Sequence, residues 1–178
     1  RVVDALRAGS GAFMHGHTYQ AHPVACAAAL AVQKVIREDN LVENVRIQGD
    51  RLSTMLTERL GNHRHVGDIR GRGLFWAIEL VQDRATKAVF DPKLKINDRI
   101  KREAFDRGLA IYPMSGTIDG TNGDHVIVAP PYIAQATDID AIVANIRTAF
   151  ETLIKALDWM DDKTREQALG KLQALKQQ

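Results

Sequence analysis

The sequence is poor in cysteine and in long apolar runs. Its 178 residues include one cysteine, Cys26, so no disulfide can form within the chain, and a reducing, cytoplasmic setting is the expectation. No apolar run approaches the roughly 18 residues that a membrane-spanning helix needs, and the amino end lacks the pattern of a signal peptide. We therefore expect no membrane span.

The chain also lacks a strong excess of either charge. Lysine and arginine total 24 against 22 acidic residues, a formal net charge of +2. This balance gives no electrostatic case for binding nucleic acid or an anionic membrane, although the isoelectric point is near 8.8. With 45% hydrophobic residues, the chain can bury one moderate core or two small ones.

The stretch that organises the rest is Phe13 to Leu30, in which a polar loop runs into an alanine-rich helix. Pro23 stands where a first helical residue would be. The first N–H groups of a helix have no internal partner and the macrodipole is positive there, so Thr18, Tyr19 and Gln20 would suit a phosphate or another anion. The residues alone leave the simpler alternative open, a capped helix preceded by a polar loop.

Periodicity predicts an α+β fold. Apolar residues recur at helical spacing or alternate along strands, which favours a small antiparallel sheet of three or four strands with helices on one side. Four helices are predicted. The first starts at Pro23, the second spans Val45 to Gly61, the third spans Leu94 to Arg107, and the fourth follows a capping box at Thr137 to Asp140. The predicted strands are Val66 to Ile69, Leu74 to Val81, Leu109 to Tyr112 and His125 to Ala129.

Small residues dominate one side of the helix that starts at Pro23, which is typical of a face that packs closely on another domain or subunit. We expect Cys26, among alanines on this helix, to be a small buried hydrophobe rather than a reactive thiol. Arg70 and Arg72 could bind a carboxylate or a phosphate, but a structural or solvated role is commoner for arginines beside a turn.

Six histidines raise the question of a metal site, because His15 with His17 and His63 with His65 form two His-x-His pairs. In an extended segment such pairs point the same way and could share a metal. Neither pair lies in a clear strand beside acidic or cysteine ligands, so we assign no metal site. His22 is expected to hydrogen-bond at the helix entry, and His125 to be a satisfied structural imidazole.

The segment His15-Gly-His-Thr-Tyr-Gln-Ala-His-Pro-Val-Ala-Cys-Ala-Ala-Ala resembles the phosphate-binding segment of the class III pyridoxal-phosphate aminotransferases, in their omega-transaminase branch. Asp68 to Leu80 and Gly123 to Ile133 resemble later segments of that family in the same order. The resemblance implies a homodimer in which Thr18 binds the phosphate of pyridoxal 5'-phosphate in the neighbouring active site, while Tyr19 shapes the cofactor end of the pocket. It also implies the C-terminal small domain of fold-type I pyridoxal-phosphate transferases.

The same resemblance shows which family features the chain lacks. No lysine precedes Lys34, whereas the family's Schiff-base lysine lies upstream of the segment around Thr18, as do the aromatic residue that stacks on the cofactor and the aspartate that pairs with its ring nitrogen. We therefore place no catalytic residue in this chain and expect it to be the carboxy-terminal portion of an aminotransferase, inactive alone. The alternative is a non-catalytic binding or dimerisation module from a truncated transaminase paralogue.

The reaction implied by the resemblance moves an amino group between an amine or amino acid and a keto acid or aldehyde. Many omega-transaminases bind substrate carboxylates with an arginine before the Gly-Asp-His motif, but no arginine occurs from Ala110 to His125. The amino donor and acceptor are therefore left open.

Four segments are expected. Residues 1–22 would end the large domain and carry the cofactor-phosphate loop, 23–60 would form interdomain helices, 61–157 the small α+β domain, and 158–178 a helical extension of unclear origin. The family resemblance stops near Leu157. The tryptophan-methionine-aspartate run after it resembles a helical segment of neprilysin-type metallopeptidases, but the chain has no His-Glu-x-x-His motif and no activity is inferred from it.

Overall fold

A computed structural model of the chain describes residues 1–18 and 20–155, except for the side chains of 154 and 155. Two compact units are formed, Arg1–Asn40 and Leu41–Gln178. The predicted division into four segments stays a prediction. No helix among the described residues combines the length and the apolar character that crossing a membrane requires.

The first unit contains two helices joined by the polar loop. Helix α1 spans Val2–Ala8 and helix α2 spans Pro23–Glu38, and neither contains a buried residue. Helix α2 starts at Pro23, as predicted, because the fixed φ of proline suits a first helical position and its missing N–H costs no hydrogen bond there. The helix ends at Glu38 with Asp39 as its C-cap, and the following residue, Asn40, adopts a left-handed φ of 52°.

The second unit is built on a four-stranded antiparallel sheet. The strands are β1 (Val66–Arg72), β2 (Phe75–Leu80), β3 (Tyr112–Ser115) and β4 (Asp124–Val128), in the spatial order β1-β2-β4-β3. The α+β class and the antiparallel sheet are thus confirmed.

Three helices supply the apolar residues that pack with the sheet. They are α3 (Leu41–Leu60), α4 (Ile96–Phe105) and α5 (Ala136–Lys155), and a short 3-10 helix at Pro92–Leu94 precedes α4. The side chains of the core are almost fully buried because helical and strand spacing put them on facing surfaces. They include Leu52, Leu56 and Leu60 of α3, Ile78 and Leu80 of β2, Ile96 and Ile100 of α4, Val126 and Val128 of β4, and Ile139, Ile146 and Phe150 of α5.

The third strand lies later in the chain than predicted. Leu109 and Ile111 do pack on the core, but the residues that pair with β4 are Tyr112–Ser115. Because β3 is an edge strand of the sheet, Pro113 is tolerated within it.

The predicted capping box at Thr137 and Asp140 is wrong. Helix α5 already starts at Ala136, and the Gln135 N–H donates to the Asp138 carboxylate at 2.8 Å. The carboxylate that caps the helix start is therefore that of Asp138, two residues before the predicted Asp140. Asp140 instead accepts a hydrogen bond from Arg51 of α3.

Candidate functional site

The loop that precedes α2 makes a tight turn around Thr18. The Gln20 N–H donates to the His17 carbonyl at 2.9 Å, and Ala21 takes a left-handed φ of 58°. Thr18 lies within this turn and is exposed. Tyr19 lies outside the described residues. The first of the two predicted cofactor-binding residues is therefore on an accessible turn, five residues before helix α2 starts at Pro23.

The start of α2 is organised by His22. Its Nδ1 accepts a hydrogen bond from the Ala25 N–H at 3.3 Å, and its carbonyl accepts one from Cys26 at 3.0 Å. The expected role of His22 at the helix entry is thereby confirmed. The first turn of α2 contains no acidic residue, so no side-chain carboxylate there offsets the positive end of the macrodipole.

Cys26 is exposed, so the expectation that it would be a buried hydrophobe is wrong. No residue of α2 is buried, although the helix carries large apolar side chains such as Val24 and Leu30, 72% and 71% exposed. The small-residue side of α2 therefore has the composition of a packing face, but neither Cys26 nor any other residue of the helix is buried in this chain.

The arginines flagged by the sequence lie on the first strand of the sheet. Arg70 donates from Nη1 to the carboxylates of Asp68 at 2.7 Å and Glu79 at 2.6 Å. These hydrogen bonds, the one to Glu79 foremost, raise the pKa of the Arg70 guanidinium. Arg70 is engaged within the sheet, so the structural alternative describes it better than a ligand-binding role, while Arg72 is exposed at the end of β1.

The two His-x-His pairs have opposite environments. His63 and His65 are buried in the second unit, where the His65 N–H donates to His63 Nδ1 at 3.1 Å and His65 Nδ1 lies 3.0 Å from the Val81 carbonyl. His15 and His17 are exposed on the loop before Thr18, with their Nε2 atoms 3.1 Å apart. Over the described residues, no group of three or more His, Cys, Asp or Glu side chains is arranged to hold a metal.

His125 makes the kind of contact expected of a structural imidazole. Its Nδ1 lies 2.7 Å from Thr117 Oγ1, and this hydroxyl also lies 3.2 Å from the Gly123 carbonyl. The loop between β3 and β4 is held further by Asp119, whose carboxylate accepts from the backbone N–H groups of Thr121 and Asn122 and from the Asn122 side chain. Those hydrogen bonds lower the pKa of Asp119 to about 2.

One known family matches the polar turn, the proline-initiated helix and most of the α+β unit. The model of the class-III aminotransferases matches residues 1–150. The chain belongs to the class-III aminotransferase family. This confirms the resemblance seen in the segment around Thr18.

Class-III relatives match the chain over most of its length. An aminotransferase of Gibberella zeae is 51% identical over 84% of the chain and 29% of its own length. An uncharacterized aminotransferase of Schizosaccharomyces pombe is 44% identical over 88% of the chain and 34% of its own length. A crystal structure of a Vibrio fluvialis aminotransferase in a PMP-bound form matches with a TM-score of 0.72 at 29% identity, over 86% of the chain and 32% of that structure.

The chain thus spans about a third of the length of the class-III relatives it matches. It corresponds to a portion of an aminotransferase. The model of peptidase family M13 matches residues 126–178, which overlaps the end of the aminotransferase match and extends through the tail. The likeness of the tail to neprilysin-type metallopeptidases is therefore found by comparison as well, although its residues beyond 155 lie outside the described part.

Proposed function

We propose that this chain is the part of a pyridoxal-phosphate-dependent aminotransferase, of the omega-transaminase branch, that supplies the loop for the cofactor phosphate. The observation that carries the proposal is the exposed Thr18 in a tight turn that leads into Pro23 and α2. In this proposal the hydroxyl of Thr18 donates to the phosphate, and Tyr19 shapes the adjoining wall of the pocket.

The residues present fit an anionic group. The loop offers a hydroxyl on an accessible turn, and it leads to a helix start whose first turn has no acidic residue. A dianionic phosphate is favoured near such a helix end because the unpaired N–H groups and the macrodipole both attract negative charge. His22 already accepts from Ala25, so the helix start is held in place before a ligand binds.

The division of chemistry follows from the side chains. Pyridoxal phosphate, when bound, accepts the amino group and delocalises the electron pair left on the substrate carbon. A lysine supplied by another part of the enzyme would move the proton, since no lysine precedes Lys34 in this chain. The share of this chain is binding and orientation: Thr18 fixes the phosphate, and a fixed phosphate sets the position of the reactive ring.

The proposed setting is that of the family. The reaction would take an amine or amino acid as donor and a keto acid or aldehyde as acceptor, in a cytoplasmic homodimer whose subunits exchange their phosphate loops. The donor stays open because Arg70 is paired with Asp68 and Glu79, and no arginine occurs between Ala110 and His125.

Complementation tests the proposal. The full 178-residue chain is co-expressed with the lysine-bearing portion of a class-III aminotransferase, and amino transfer and cofactor absorbance are measured. We expect neither signal from the chain alone and both from the pair. Thr18→Ser should keep cofactor affinity, because it retains the hydroxyl, whereas Thr18→Val should weaken it by about 1.5–3 kcal/mol, the range for a hydrogen bond to a charged group.

The alternative is a non-catalytic binding or dimerisation module. The exposed apolar side chains of α2 favour it, since a helix with Val24 and Leu30 in solvent needs a partner surface. Capture of a full-length aminotransferase with unchanged activity, together with failure of complementation, would support the module. Restored activity that Thr18→Val does not affect would refute the phosphate role of Thr18 while leaving the assembly intact.

A further inference from the structure

We propose that His15 and His17 form a two-imidazole site for a divalent late first-row transition-metal ion on the loop before α2. The two side chains are separated in sequence only by Gly16, and their Nε2 atoms lie 3.1 Å apart, within hydrogen-bond distance, so the two nitrogen atoms converge on one point even without an ion. Neither the family match nor the proposed cofactor role uses these nitrogen atoms.

The distance between the nitrogen atoms fits a shared metal. An ion bonded to two imidazoles at about 2.0–2.1 Å holds their nitrogen atoms about 2.9 Å apart at a right angle and about 3.3 Å apart at the tetrahedral angle. The observed 3.1 Å lies between these values. Both lone pairs can face one ion when each ring carries its proton on Nδ1.

The rings are also oriented and accessible. The planes of His15 and His17 are nearly perpendicular, at 89°, with centroids 4.8 Å apart, and Phe13 lies edge-on to His15 with centroids 5.7 Å apart. Both histidines are exposed, so an ion can reach them and water can complete its coordination. Two protein ligands with water imply an exchangeable ion rather than a structural one.

The other His-x-His pair shows why spacing alone is insufficient. His63 and His65 are buried, and their Nδ1 atoms are occupied by the His65 N–H and the Val81 carbonyl. Their rings are tilted by 54° with centroids 5.7 Å apart, in an apolar cavity lined by Phe90 and Phe150 among others. That pair has neither the convergence nor the access that binding an ion requires.

The chemistry of the donors selects the ion. Neutral imidazole suits copper, nickel and zinc, and the affinity of a nitrogen site follows the order that peaks at Cu²⁺. Mg²⁺ prefers oxygen ligands. The site should therefore bind Cu²⁺ most tightly, Ni²⁺ and Zn²⁺ less tightly, and Mg²⁺ not at all.

Titration of the full chain with Cu²⁺, followed by calorimetry and by electron paramagnetic resonance, tests the site. We expect one equivalent with nitrogen hyperfine structure from two imidazoles. His15→Ala and His17→Ala should each weaken that equivalent by at least about tenfold, the lower bound seen for outer-shell partners of metal ligands. His125→Ala is the matched control, because it removes an imidazole that contacts Thr117 within the second unit, and it should bind Cu²⁺ as the unsubstituted chain does.

Three results would overturn the proposal: no Cu²⁺ binding by the unsubstituted chain, equal binding by His15→Ala and His17→Ala, or an equal loss in His125→Ala. Circular dichroism of each variant checks its folding. Because both loop histidines are exposed, their replacement opens no core cavity, and His15→Gln and His17→Gln provide second variants of similar size.

Discussion

Arg51 of α3 and Asp140 of α5 form a forked ion pair that ties the two helices together. Arg51 Nε and Nη2 both donate to Asp140 Oδ1, at 2.9 and 2.6 Å, and Nη2 also lies 2.7 Å from Oδ2. The pair borders a groove of about 470 Å³ whose lining includes Met55, Val143 and Ala144. The pair therefore links the two helices at the solvent edge of their contact.

Breaking this pair should have a small effect. The two side chains are 44% and 45% exposed, so solvent screens their attraction, and a double-mutant cycle of Arg51→Ala with Asp140→Ala should give a coupling of about 0.5–1 kcal/mol, the upper part of the range for exposed pairs. Urea unfolding measures it. Arg51→Lys keeps the charge without the fork and should lose most of the coupling. A coupling unchanged by high salt would contradict the electrostatic account.

Gly49 should resist replacement by alanine, although it lies within a helix. A Cβ at Gly49 would lie 2.5 Å from the carbonyl carbon and oxygen of Gly73, in the turn between β1 and β2. Helix propensity favours alanine by about 1 kcal/mol, but the clash is with backbone and cannot be relieved by rotating a side chain. We expect Gly49→Ala to cost about 1–3 kcal/mol net, as for overpacking.

Denaturant unfolding measures that cost. Glu58→Ala, on an exposed position of the same helix, is the control and should change the free energy of unfolding by no more than about 0.5 kcal/mol. A stabilised Gly49→Ala would show that α3 and the turn at Gly73 can move apart without loss.

The contrast between Gly49 and the leucines of α3 shows what sequence can predict. A buried stripe on α3 can be predicted from its leucines, because Leu52, Leu56 and Leu60 recur every four residues along one face. The importance of Gly49 depends on Gly73, twenty-four residues away, and no local pattern encodes that contact. The predicted position of β3 differs from the observed one for a similar reason. The apolar character of Leu109 and Ile111 indicates packing on the core, whereas the pairing with β4 decides which residues form the strand.

The candidate site divides in the same way. The roles of Pro23 and His22 are local, so the sequence was enough to predict a helix start at which an imidazole accepts a hydrogen bond. The convergence of His15 and His17 was not predicted, because it depends on the conformation of a loop without regular structure. Their spacing was the only signal, and the buried pair at His63 and His65 has the same spacing.

Asp124 should stabilise the start of α4 from outside the helix. Lys95, at the amino end of α4, provides no side-chain cap, and the Asp124 carboxylate accepts a hydrogen bond from the Asn97 backbone. Asp124 is only 5% exposed. Replacement by alanine should cost about 1–2 kcal/mol, as for the loss of a helix cap, while Asp124→Asn keeps an acceptor oxygen and should cost less at neutral pH.

The same residue predicts a pH effect. Burial raises the pKa of the Asp124 carboxyl above its ordinary value of 3.8. The folded state therefore holds this proton more tightly than the unfolded state. The protonated Asp124 thus adds to the free energy of unfolding, fully below pH 3.8, and this stabilisation is lost as the pH rises through the folded-state pKa. The difference in unfolding free energy between the unsubstituted chain and Asp124→Asn should widen as the pH falls from about 6 towards that range. If this difference in unfolding free energy did not change with pH, the proposed uptake of a proton by Asp124 in the folded state would be contradicted.

His63 should make the second unit sensitive to acid. Burial, together with the nearby His65 and the cations Arg64 and Arg84, lowers the pKa of His63 from 6.5 to about 3. Between these values the unfolded chain binds a proton that the folded chain excludes, so stability falls as the pH falls below 6.5. The slope from this residue approaches about 1.4 kcal/mol per pH unit. His63→Asn keeps an acceptor near the position of Nδ1 for the His65 N–H and should reduce the slope, although it lowers stability at neutral pH.

Packing and titration can be separated at this position because His63 lies edge-on to Phe150, with ring centroids 5.6 Å apart. Phe150→Leu loosens the same contact without removing a titrating group, so it should lower the unfolding free energy by a similar amount at about pH 7.5 and pH 5 and keep the acid slope. His63→Asn should instead cost less at the lower pH than at the higher one. If both variants showed parallel pH curves, exclusion of a proton from His63 would not be the source of the acid sensitivity, and the loss would be one of packing alone.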